Sequence, residues 1–139
     1  MTTFDIEEKP AVWFEMEGGG RIQLRTLTSI DMKEIRKKTT KRKVDYKRIE
    51  GKAERFDVEE VDKDLENELF WDRVIVAWEN LFDSKERPIE CTRENKVLLM
   101  SRSMKFVQFI TESMDQIAKD ETAKEEDAEK NSLTPPVGS

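Results

Sequence analysis

Leu69-Phe-Trp-Asp-Arg-Val-Ile-Val-Ala-Trp-Glu-Asn-Leu-Phe-Asp83 decides how this chain is read. Val61, Leu65 and Leu69 precede and enter it at four-residue steps, and Trp71, Val74, Ile75, Trp78 and Phe82 continue at three- and four-residue steps. That recurrence predicts a helix over about 58–82, acidic with a narrow apolar stripe at first, then apolar round most of its circumference. Such a helix buries one face in its own fold and offers another to a partner. Asp83-Ser-Lys-Glu-Arg-Pro88 ends it with turn formers and a proline.

Downstream, Thr92 is placed to cap a short helix over 93–100 that buries Val97, Leu98 and Met100. Ser101-Arg-Ser103 interrupts it. A further helix is expected over 103–118, with Phe106, Phe109, Ile110, Met114 and Ile117 on one stripe. The candidate partner-binding residues are therefore Phe70, Trp71, Val74, Ile75, Trp78, Phe82, Phe106, Phe109, Ile110 and Met114. Met100, Met104 and Met114 read first as core, although methionine also suits an adaptable contact surface. Residues 1–120 form one domain in this reading, and 121–139, acidic and poor in apolar residues, a disordered tail.

Upstream, residues 11–27 alternate on either side of Gly18-Gly19-Gly20 and predict a hairpin. A loop made of the three glycines sets Glu17 opposite Arg21, Met16 opposite Ile22, Phe14 opposite Leu24 and Trp13 opposite Arg25. Phe14, Met16, Ile22 and Leu24 then share one face, and Trp13–Arg25 is a candidate cation–π pair. Thr28-Ser-Ile-Asp31 reads as the start of a short helix over 29–39. Lys33–Arg48 carries nine basic residues against Glu34 and Asp45, and Glu54–Glu68 carries eight acidic residues against Arg55 and Lys63. Residues 36–57 are expected to be a charged, flexible connector. The fold class is thus α+β: a hairpin packed against three to four helices.

Composition narrows the chemistry. Charged residues are 40 % of the chain and apolar ones 36 %, so the core must come from a few concentrated segments. With no histidine, the chain lacks the usual neutral-pH acid/base, the commonest metal ligand and every histidine-based triad. Asp72, beside Phe70, Trp71 and Val74, reads as the polar side of a helix rather than a general acid. Cys91, the single cysteine, reads as a small hydrophobe, and its solitude fits a reducing cytoplasm. The first residues lack signal-peptide character, and no transmembrane run is present. No enzyme, cofactor or metal is expected. Nucleic-acid binding by Lys33–Arg48 is disfavoured by scarce aromatics and the acidic block that follows.

Trp78-Glu-Asn-Leu81, Asp83, Pro88-Ile-Glu-Cys-Thr-Arg-Glu-Asn-Lys-Val-Leu-Leu99 and Phe106-Val-Gln-Phe-Ile110 together resemble the tail assembly chaperones of long-tailed bacteriophages. The hairpin and its Leu27-Thr-Ser-Ile-Asp31 exit fit the same pattern, over about 100 residues. The resemblance implies a protein of the host cell cytoplasm that binds the tape measure protein and keeps it soluble. It further implies tail tube protein as a second partner and a homo-oligomer. The complementary charge blocks offer a means of self-association. The rival readings are a minor tail or head–tail protein retained in the virion, and a regulatory nucleic-acid binder using Lys33–Arg48.

Overall fold

The computed structural model of the chain describes residues 1–133, so the tail expected to be disordered lies, for 134–139, outside the described residues. The architecture is α+β, and the chain divides into two compact units. One comprises Met1–Thr26 together with everything from Ile75 onward; the other is Leu27–Val74.

The first unit contains a three-stranded antiparallel sheet in the order β1 (Val12–Glu15), β2 (Arg21–Leu24), β5 (Ile75–Glu79). The expected hairpin is present, but its loop is Glu17-Gly18-Gly19 rather than the three glycines. Met16 N–H donates to Gly20 C=O at 2.7 Å and Gly19 N–H to Met16 C=O at 3.2 Å. Gly18 and Gly19 supply the positive φ angles, +97° and +95°. Glu15 therefore faces Arg21, and Phe14 faces Ile22. The register has slipped by two from the expected one, and a slip of two keeps every side chain on its face. Ile22 and Leu24 are accordingly fully buried. The cation–π pair changes partner: Arg21, not Arg25, lies over Trp13, 4.2 Å from the ring centroid.

The helix expected over 58–82 does not form as one element. Its span holds the end of β4 (Lys52–Val61), helix α2 (Lys63–Val74) and strand β5. Along β5, Ala77 faces Gln23 but Ile75 faces Leu24, so Val76 is an extra residue opposite the shift. That bulge turns Ile75 and Trp78 to the same side despite their three-residue spacing, whereas regular alternation would separate them. Both are buried, while Val76 is exposed. A three-residue spacing of buried apolar residues is also what a helix makes, which is why the sequence pattern misleads here.

Helix α3 (Arg93–Arg102) starts at the expected Thr92 cap, whose hydroxyl accepts from Asn95 N–H at 3.2 Å. Helix α4 (Met104–Leu133) runs well past the expected end at 118. Its polar half carries i,i+4 pairs, Lys119–Asp115 at 3.2 Å and Gln116–Asp120 at 2.8 Å. The N-terminal segment also ties to it. Thr3 N–H donates to Glu129 at 2.7 Å, Asp5 meets Lys124 at 3.5 Å, and Lys9 pairs with Glu121. Phe106 of α4 meets Trp78 edge-on, with centroids 6.1 Å apart, which places the start of this helix against the buried face of the sheet.

The second unit begins with α1 (Ser29–Thr39) at its expected bounds. Thr28 and Asp31 form a capping box. The segment expected to be a flexible connector is instead a two-stranded ribbon of β3 (Thr40–Ile49) and β4, ten residues each. Glu50 and Gly51 close it with φ of 52° and 79°, the two positive values of a type I′ hairpin turn. α1 and α2 are clamped by Arg73, whose Nη1 lies 2.8 Å from Glu34 and 3.2 Å from Asp31. The pair of carboxylates, Glu34 foremost, holds the guanidinium charged more firmly than usual.

Candidate partner-binding groove

The segment between β5 and α3 is organised by a few local bonds. Asp83 Oδ1 accepts from Lys85 N–H at 2.8 Å and Arg87 N–H at 3.0 Å, and its Oδ2 meets Arg87 Nε at 2.9 Å. These donors, the Arg87 amide first, hold the Asp83 carboxyl below the usual carboxylate range. Glu86 takes φ +61° in the turn so formed. Ile89 N–H donates to Leu81 C=O at 2.8 Å, and Phe82 pairs with Pro88 across an isolated bridge. Trp78 Nε1–H donates to Ile89 C=O at 2.7 Å, and Asn95 Nδ2 donates to Glu90 C=O at 2.8 Å. Trp78, Asp83, Pro88, Thr92 and Asn95, residues that carry the chaperone resemblance, thus hold one loop against β5 and the start of α3.

That loop, the hairpin tip and the α3–α4 junction enclose a groove of about 290 Å³. Met16, Leu81, Phe82, Ile89, Leu99 and Phe106 line its apolar part, and Glu17, Asn80 and Lys105 its polar edge. Gly20 is part of the lining and is there for space: a Cβ would lie 2.8 Å from Leu81 Cδ2 and 3.3 Å from Asn80 C=O. Phe82 remains 56 % exposed at this site, so one large apolar ring of the lining stays open to a partner. Met104, beside the groove-lining Ser103 and Lys105 in the chain, is 71 % exposed.

The ten candidate partner-binding residues divide among different surroundings. Phe70, Trp71 and Val74 lie on α2 in the second unit, where Phe70 and Trp71 meet edge-on at 4.9 Å. Ile75, Trp78, Phe106 and Ile110 are core of the first unit, and Val74 is buried too. Phe109 and Met114 are half-buried on α4. Of the ten, Phe82 and Phe106 line the groove. Met16, Leu81, Ile89 and Leu99, which are not among the ten, complete it. Their signal is indirect: hairpin tip and post-β5 loop come together only because β2 and β5 are neighbours. Among the described residues no cluster of acids or cysteine could hold a metal, and no helix is long and apolar enough to cross a membrane.

Neither the curated proteins nor the solved structures provide a significant match. Residues 25–131 match a family described as YdaY prophage protein. This match takes in most of the chain, including the ribbon, β5, the groove loop and both C-terminal helices, and the chain belongs to the YdaY prophage protein family.

Proposed function

We propose that this prophage protein is a non-enzymatic tail assembly chaperone that binds the tape measure protein and keeps it soluble until tail tube subunits surround it. The observation that carries the reading is the groove with Phe82 exposed at it. Its size suits one or two apolar side chains of an amphipathic helix, and its lining of Met16, Leu81, Ile89 and Leu99 makes little demand on client sequence. The motif residues support the reading as well, because they build the loop that presents Phe82. A long helical client offers apolar side chains at repeated turns, so a shallow and permissive receptor is the appropriate chemistry.

The test is co-expression of this chain with the tape measure protein encoded by the same prophage. The tape measure protein is expected in the soluble fraction and in complex with the wild-type chain. With Phe82→Ser it is expected to precipitate, while the far-UV circular dichroism of the variant alone is unchanged. A tape measure protein equally insoluble with and without the wild-type chain overturns the reading. So does mass spectrometry that finds the chain in purified virions, the result expected of a structural tail component.

A further inference from the structure

The β3–β4 ribbon pairs with no other strand among the described residues, so both its edges are open over ten residues. About half the N–H and C=O groups of each strand point away from the partner strand in such a pair. Every residue from Lys41 to Glu60 is exposed, including Val44, Tyr46, Ile49, Phe56 and Val58. An isolated two-stranded ribbon wet on both faces is marginal in water. Natural proteins blunt edges of this kind with short strands, bulges or charges, and here the charge on each edge, mostly of one sign, turns away only an edge of the same sign.

The two edges differ in sign. β3 carries Lys41, Arg42, Lys43, Lys47 and Arg48 against Asp45; β4 carries Glu54, Asp57, Glu59 and Glu60 against Lys52 and Arg55. Within the ribbon the charges meet only loosely, Lys43–Glu60 at 3.9 Å and Arg55–Asp57 at 4.0 Å, all four side chains well exposed.

We infer that the ribbon is a self-association surface in which β3 of one copy adds to the free edge of β4 of a second copy. The charges select this pairing over the alternatives. Two β3 edges brought together would set basic residues against basic ones, and two β4 edges acid against acid, which is destabilising directly across strands. Unlike edges attract, and equal lengths allow the pairing to run the whole ribbon. The added strand is antiparallel when the second copy repeats the first along the sheet, so one regular pattern continues. Each added copy leaves one basic and one acidic edge open, so association is head-to-tail. A nucleic acid is the poorer occupant: β4 and a net charge of −6 repel phosphate.

Light scattering on the full-length chain tests this. Adjacent strands lie about 4.8 Å apart, and the screening length falls from about 10 Å at 0.1 M salt to about 3 Å at 1 M. The average mass is expected at or above twice 16.4 kDa at the lower salt and near 16.4 kDa at the higher. Two charge-reversed variants, K41E/K43E/K47E and E54K/D57K/E60K, are each expected to stay monomeric, and their equimolar mixture to associate again. A chain with residues 41–60 replaced by a Gly-Ser linker is expected to be monomeric with its helical signal intact. Phe82→Ser is expected to associate like the wild type, which separates this inference from client binding. A wild-type monomer at low salt, oligomers that persist without the ribbon, a mixture that stays monomeric while both variants keep their strand signal, or ribbon-dependent DNA binding would each overturn it.

Discussion

Trp78 Nε1–H donates to the carbonyl of Ile89 at 2.7 Å, and the same indole meets Phe106 edge-on at 6.1 Å. One side chain therefore joins the third strand of the sheet, the loop that presents Phe82, and the first turn of α4. Its ring is buried, so its single donor needs the carbonyl of half-buried Ile89.

Trp78→Phe keeps most of the apolar volume but leaves Ile89 C=O without its partner. A loss of about 2 kcal/mol is expected, from the cost of an unsatisfied group together with the smaller ring. Urea denaturation followed by circular dichroism measures it. An unchanged midpoint would show that the loop does not lean on this bond.

Asp83 gives the pH dependence. Its folded pKa is depressed by the amides of Arg87 and Lys85 and by the Arg87 guanidinium. A depressed carboxyl contributes order that is complete above the unfolded value of about 4 and lost as pH falls through the lower folded value. Carboxyl-carbon NMR is expected to show Asp83 titrating below about 4, with amide shifts of Lys85 and Arg87 following the same curve. Asp83→Ala is expected to abolish that curve and leave the strands unaltered.

Gly20 separates space from flexibility. Gly20→Ala places a methyl 2.8 Å from a movable Leu81 methyl and 3.3 Å from a backbone carbonyl, so Leu81 must shift into the groove. Gly20→Val adds bulk that a side-chain shift cannot absorb, and a loss of about 1–3 kcal/mol is expected. Thermal unfolding of both variants ranks them, valine below alanine, and client capture is expected to fall in the same order.

Arg73 holds α1 to α2 through Glu34 and through Asp31, whose side chain is mostly covered. Arg73→Ala is expected to lower the melting temperature by a few degrees, about 1 kcal/mol after allowance for solvent screening. Arg73→Lys recovers only part of this, because an ammonium lacks the guanidinium's fork of donors. Full recovery by lysine would reduce the clamp to a simple charge effect.

The hairpin faces were correct although the register was not, because a two-residue slip conserves the alternation of Phe14, Ile22 and Leu24. The ribbon was hidden by its charge. Val44 and Tyr46 alternate on β3 as Phe56 and Val58 do on β4, around Gly51, but the intervening lysines, arginines and glutamates looked like a solvated loop. The groove was only partly visible. Phe82 closes the apolar run just before the Asp83 turn, whereas Met16 gains its place from the adjacency of β2 and β5.

Local chemistry in the chain was enough to set the caps at Thr28 and Thr92, the turn at Asp83, and the starts of α1, α3 and α4. Each depends on hydrogen bonds between groups only a few residues apart, and such bonds need no distant partner. The fate of residues 75–79 was decided elsewhere. Ile75 and Trp78 fit a helix as well as a bulged strand, and β2, some fifty residues earlier, supplies the edge that β5 completes. Strand formation is a contract between distant segments, so its outcome rests on which edge is open when the chain collapses, and that is a property of the folded whole.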